Sequence, residues 1–153
     1  MVRDVKWKIS GTTIPMSEHD NLENAKRWGA AVNSGDFDTF DELVGPGCVD
    51  HDPAPNQEQG AKGFKTFFGS LKTAFPDATI AVEKLVQHGD FISLVYTLEG
   101  THTGPFLGIP ATGKHIKARG MQLARYENGK LVERWGSSNE LGIVQQIGAK
   151  IGA

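Results

Sequence analysis

The stretch HIKARGMQLARYENGKLVERWGSS, residues 115–138, alternates small or apolar residues with charged ones on both sides of Asn128-Gly129. Period-two alternation predicts strands over 115–127 and 130–138, and an Asn-Gly pair between them predicts a two-residue type I′ hairpin turn. With that turn setting the register, Glu127 faces Lys130 and Tyr126 faces Leu131. One face then collects Ile116, Ala118, Gly120, Gln122, Ala124 and Tyr126 with Leu131, Glu133, Trp135, Ser137 and Asn139. The other carries Lys117, Arg119, Met121, Leu123 and Arg125 with Val132, Arg134, Gly136 and Ser138. Four basic residues on that second face are costly to bury, so it is assigned to the outside. There Met121, Leu123 and Val132 form the expected centre of a homodimer interface rimmed by arginines. The first face is expected to look inward. Ala118, Gly120 and Ala124 leave volume there, while Gln122, Glu133 and Trp135 supply polar groups and an aromatic wall, the make-up of a ligand pocket. One bulge in the hairpin inverts the assignment.

Upstream of the hairpin, residues 80–87 and 91–103 read as two further strands joined at Gly89-Asp90. Ahead of them the period is helical. Leu22, Ala25, Trp28, Ala31 and Val32 predict a helix over 18–33, with Ser17 as its cap. Phe37, Phe40, Leu43 and Val44 predict a short second helix stopped by Gly45-Pro46-Gly47, and a short strand over 48–52 follows. Phe64, Phe67, Phe68, Leu71, Ala74 and Phe75 predict a third helix that ends before Pro76. Val5, Trp7 and Ile9 alternate in an arm over 1–16, expected as a short edge strand or frayed, and 141–151 can form a last helical turn or two. Helices followed by four antiparallel strands make an α+β class, one domain over 1–153 with a highly twisted sheet around three helices.

Composition narrows the function. The chain has 153 residues, 39% of them hydrophobic, with a formal net charge of -2 and no basic block, so it lacks the electrostatic footprint of a nucleic-acid binder. No run of about 18 uncharged apolar residues and no signal-like leader occurs, which predicts a cytoplasmic protein with no membrane partner. The lone Cys48 reads as a small buried hydrophobe. Residues 108–114 approach phosphate-loop spacing, but His115 and a strand follow where Ser or Thr and a helix are needed, so no nucleotide is expected. His51 lies between Asp50 and Asp52, and strand alternation splits them across two faces, so no metal is expected either.

The remaining candidates are bases. Ile92, Leu94, Tyr96, Leu98 and His102 share one face, which makes His102 an imidazole at the end of an apolar row. Burial there favours a neutral base, and a loop-holding histidine fits the same position. His51 and His102 can meet across a pocket mouth.

The segment 100–114, GTHTGPFLGIPATGK, resembles the signature loop of SnoaL-like polyketide cyclases, also called ester cyclases. Agreement extends to Asp50-His51-Asp52, Ala74-Phe75-Pro76-Asp77, the stretch 125–135 and the stretch 141–148. The resemblance implies the cone-shaped α+β barrel of nuclear transport factor 2 and ketosteroid isomerase, with a deep apolar cavity and a dimer through the sheet. It also implies an internal aldol reaction with an Asp as general acid/base and no cofactor. The family pattern places that Asp four residues after a Trp, where this sequence has Asn139, an amide that can hydrogen-bond an enolate oxygen but cannot take up a proton at neutral pH. Glu133, Asp52, His51 or His102 then stand in as the base. Trp28, Tyr96, Phe106, Leu107, Ile109, Gln122 and Trp135 are the expected contacts of a small hydrophobic organic molecule, with 104–113 as an apolar rim or a packed crossover. Two functions follow: an enzyme moving a proton next to a carbonyl, or a binding protein that uses the same cavity without turnover.

Overall fold

The Asn128-Gly129 pair adopts positive φ at both residues, +50° and +80°, and joins strands β6 (His115–Glu127) and β7 (Lys130–Ser138) at the bounds expected from the alternation. This is a computed structural model, and it describes residues 6–9, 12–150 and 152, with side chains from residue 18 onward. Ahead of the hairpin, in chain order, are β1 (Lys6–Ile9), β2 (Thr12–Pro15), α1 (Met16–Ser34), a short 3-10 turn (Phe37–Thr39), α2 (Phe40–Leu43), β3 (Val44–Asp50), α3 (Gly60–Ala74), β4 (Thr79–His88) and β5 (Phe91–Thr101). After it comes α4 (Glu140–Gln146). Val5 and the Ser17 side chain lie outside the described residues.

Five strands form one open sheet in the order β3-β7-β6-β5-β4, antiparallel except for the β3-β7 pair. The architecture is the cone-shaped α+β class, with a mixed sheet that does not close. The N-terminal arm differs from the expected edge strand: β1 and β2 pair with each other as a separate two-stranded hairpin. Helix α1 clamps the β6-β7 turn. The Gly129 N–H donates to the Asn21 side-chain oxygen at 2.8 Å, and the Asn24 amide donates to the Gly129 carbonyl at 2.7 Å.

The apolar faces meet as their periods require. Trp28 of α1 stacks on Phe40 at 4.2 Å between ring centroids and meets Phe64 of α3 edge-on at 5.0 Å. A second cluster joins Phe75, Tyr96, Leu98 and Ile116 to Ile143 and Ile147 at the C-terminal end. Among the described residues no helix is long and apolar enough to cross a membrane.

One irregularity decides what the sheet presents to its interior. Tyr126 pairs with Leu131 but Arg125 pairs with Glu133, so Val132 is an extra, bulged residue on β7. An extra residue exchanges the faces of everything beyond it. The expected assignment of β7 is therefore reversed past Leu131. Arg134, Gly136 and Ser138 share the inner face with Ala124, Gln122 and Gly120, whereas Glu133, Trp135 and Ser137 share the outer face with Arg125, Leu123 and Met121.

Candidate active site

The bulge carries Arg134 into the space between β7 and α3, directly opposite Asp50 in the parallel register with β3. The Asp50 carboxylate is 2% exposed and accepts from Arg134 Nη1 at 3.0 and 3.2 Å, one contact to each oxygen. Its remaining acceptor positions take the Gln57 amide at 3.1 Å and the Asp52 backbone N–H at 3.1 Å. Gln122 accepts from Arg134 Nε at 3.3 Å, so the guanidinium is held at both ends. A Cβ at Gly136 would lie 2.3 Å from Arg134 Nη2, so the absence of a side chain at 136 is what admits the guanidinium.

Asp50, Gln57, Arg134 and Gly136 floor a cavity of about 340 Å³. Phe64, Phe67 and Phe68 of α3 form its aromatic wall, and Asp52, Ser138 and Glu140 complete the polar side. The Asp52 carboxylate is fixed at one oxygen by the Gly136 N–H at 2.9 Å. Ser138 shares a hydrogen bond of 2.7 Å with the Tyr96 hydroxyl. Tyr96 reaches it across Gly120, where a Cβ would fall 2.2 Å from the phenol ring. The arrangement offers cationic N–H donors and a hydroxyl opposite aromatic rings, with an exposed carboxylate beside them. It can hold an oxygen that gains negative charge and accept a proton within one enclosure.

The sequence-derived candidates do not share one location. His51, Glu133 and Trp135 lie together on the outer face, outside the cavity, which corrects the expectations that Glu133 and Trp135 look inward and that His51 stands at the pocket mouth. The His51 imidazole stacks on the Trp135 indole at 4.5 Å and 4°. Glu133 accepts from Arg125 Nε at 2.5 Å and contacts His51 Nε2 at 3.2 Å. The Arg125 hydrogen bond foremost, then that of His51, holds the Glu133 carboxyl below the usual carboxylate range, the opposite of the raised value a general base working near neutral pH needs.

Asn139 is the N-cap of α4, its side-chain oxygen accepting from the Gly142 N–H at 2.9 Å. Of its neighbours, Ser138 and Glu140 line the cavity. His102 is fully buried and holds the loop: its backbone pairs with Lys114 and Gly113, Nδ1 contacts Thr112 Oγ1 at 2.9 Å, and its ring lies against Phe75. It does not meet His51 across a mouth. Trp28 is core packing.

Gln122 and Tyr96 are on the inner face as expected, acting through Arg134 and Ser138. Phe106 and Leu107 line a second cleft, and Ile109 pairs with Phe106 through reciprocal backbone hydrogen bonds. Cys48 is buried, and desolvation pushes its thiol up to about 11. Among the described residues no group of three or more His, Cys, Asp or Glu side chains is gathered to hold a metal ion.

Sequence reasoning missed Arg134, Asp50 and Ser138. The available signal was the pairing demand of acids at 50 and 52, which alternation puts on one side of the expected strand over 48–52. If that side is buried, a cation has to face it.

Comparison with known proteins agrees with the fold. The family model for SnoaL-like polyketide cyclase matches residues 23–147. The chain is similar to the aklanonic acid methyl ester cyclase DnrD of Streptomyces peucetius, 26% identical over 133 residues, covering 83% of this chain and 90% of that protein. It is also similar to the nogalonic acid methyl ester cyclase of Streptomyces nogalater, 24% identical over 123 residues, covering 78% and 90%. Among solved structures, TsrD from Streptomyces laurentii superposes with a TM-score of 0.78 at 26% identity, covering 86% of this chain and 97% of that one. IdmH from Streptomyces antibioticus superposes at 0.74 and 28% identity, covering 84% and 99%.

Proposed function

This chain belongs to the SnoaL-like polyketide cyclase family, and on that premise we propose that it is a small-molecule enzyme acting on a hydrophobic carbonyl compound by proton transfer next to the carbonyl. The observation that carries the reading is the Arg134 guanidinium, paired with buried Asp50 yet lining a cavity walled by Phe64, Phe67 and Phe68. A cavity of that size and lining takes a small ring system.

The substrate carbonyl oxygen sits on Arg134, with Ser138 as a second donor. Asp52 is the base, because it lines the cavity while His51 and Glu133 do not. Its free oxygen takes the proton from the carbon next to the carbonyl. The C–H electron pair moves into the enolate, and the charge on oxygen is met by donors already in place. The enolate carbon then adds to a second carbonyl of the same molecule, closing a ring, and the alkoxide so formed takes the proton from the Asp52 carboxyl; alternatively that carboxyl returns the proton to another carbon of the extended enolate. Both outcomes are redox-neutral and use no co-reactant.

Deuterium uptake at the carbon next to the carbonyl of 1-tetralone, followed by proton NMR, tests the reading. Uptake accelerated by the protein and lost in Asp52→Asn and Arg134→Gln, with circular dichroism unchanged, supports it. Binding of the ketone with no acceleration leaves a ligand-binding protein instead.

The outer face suits a second copy of the chain. Met121 and Leu123 are exposed there beside Trp135, between the Arg119–Glu83 and Arg125–Glu133 ion pairs. Val132, expected at the centre of that patch, is the bulged residue, and a Cβ on Gly45 would lie 3.1 Å from it. Sedimentation equilibrium of native chain and Leu123→Lys tests the dimer, the substitution giving the monomer.

A further inference from the structure

A second cleft of about 260 Å³ adjoins the first at Phe67. Thr66, Ser70 and Leu71 of α3 form one side, and Pro105, Phe106 and Leu107 form the other. Ala54, Pro55, Gln57 and Phe67 line both spaces, so the two chambers share a wall. Gln57 ties that wall to the floor, its amide donating to Asp50 while its oxygen accepts from the Ala54 N–H at 3.1 Å.

Leu107 is the unusual residue of the cleft. Its φ is +48°, a left-handed conformation that disfavours residues bearing a Cβ, and the residue is 61% exposed. The conformation is held by the reciprocal hydrogen bonds between Phe106 and Ile109, at 3.0 and 2.8 Å, around Leu107 and Gly108. Gly or Asn suits this turn position and leaves no apolar surface in water. Both the backbone choice and the exposed leucine cost stability, and apolar material in the cleft would cover the leucine.

The geometry points to an accessory apolar subsite that takes an alkyl or aryl arm of the substrate whose carbonyl sits on Arg134. The inference rests on the functional reading above and extends it. The substrate is elongated and amphipathic, with its oxygen-bearing end on Arg134 and its apolar end running past Phe67 to Leu107. The two linings adjoin, with Ala54, Pro55, Gln57 and Phe67 in common, and this adjacency assigns the occupant to that same molecule.

Isothermal titration of the full chain with 2-naphthoate and 6-hexyl-2-naphthoate tests this. Each methylene buried is worth about a fourfold gain in affinity, so the hexyl compound binds at least about tenfold tighter. Ser70→Trp, which fills the cleft, and Leu107→Gly, which removes its rim, each bring the two affinities together. Leu107→Gly keeps or raises the melting temperature, because glycine accepts positive φ. Equal affinities in the unaltered chain, or a tenfold ratio that survives both variants, overturn the subsite. Naphthoate binding without deuterium uptake removes the enzyme reading and leaves the subsite to be judged on the ratio. Failure of both compounds to bind overturns the subsite and leaves the enzyme reading to the deuterium-uptake measurement.

Discussion

Asp50 and Arg134 stand directly opposite each other across the parallel β3-β7 pair, and the guanidinium bonds both oxygens of a carboxylate that water scarcely reaches. A buried pair of this kind gives little net stability, but losing one partner strands the other. Arg134→Met therefore costs about 3–5 kcal/mol in urea unfolding at pH 7. Asp50→Leu with Arg134→Met costs less than the sum of the two single changes, the signature of direct coupling.

Gly120 is the space that Tyr96 occupies on its way to Ser138. Gly120→Ala drives a methyl into the phenol ring and costs about 1–3 kcal/mol, the usual range for overpacking. Shortening the clashing side chain with Tyr96→Leu in the Gly120→Ala background recovers part of that loss, read from thermal melts of the single and double variants.

Asp77 links the end of α3 to β5. The Thr101 backbone N–H donates to one carboxylate oxygen at 2.7 Å and the Thr101 hydroxyl to the other at 2.8 Å. The backbone hydrogen bond first, then the hydroxyl, holds the Asp77 carboxyl below the usual range. A carboxylate depressed in the folded state adds stability above its unfolded pKa of about 4 and loses it as pH falls through the folded value. Asp77→Asn is thus less stable than the native chain at pH 7. The gap between the two melting temperatures closes as the pH is lowered below about 4.

Asn139 has a structural job at the start of α4. Asn139→Ala costs about 1 kcal/mol, the usual value for a lost N-cap, in chemical denaturation. Asn139→Asp keeps the cap and leaves deuterium uptake by 1-tetralone unchanged. An increase on introducing that aspartate would place residue 139 in the chemistry.

Much of the fold was legible because its elements are periodic. The alternation over 115–138 marks strands, the Asn128-Gly129 turn and the phenylalanine spacing of α3 each have one physical solution, and the loop 100–114 carried the family. The site was less legible because it depends on a bulge. Residues 130–138 keep their alternation in either register, and each register puts an acid, an arginine or an aromatic on each face. Only tertiary contact distinguishes them: inward, Arg134 meets Asp50, and outward, Trp135 stacks on His51. Strand alternation did separate His51 from Asp50 and Asp52, but which side was buried rested on the β7 register. The left-handed Leu107 carries no mark in the sequence, since leucine is not a residue that turn chemistry selects for positive φ.

The central claim is that the ligand lies on the Arg134 side of β7. Titration of 2-naphthoate against Arg134→Gln and Trp135→Ala, each checked for native circular dichroism, separates the two sides of the strand. A lost charge-assisted hydrogen bond predicts about tenfold or more weaker binding for Arg134→Gln, with Trp135→Ala binding as the native chain does. Weakened binding in Trp135→Ala with Arg134→Gln unaffected would put the ligand on the outer face and contradict the account.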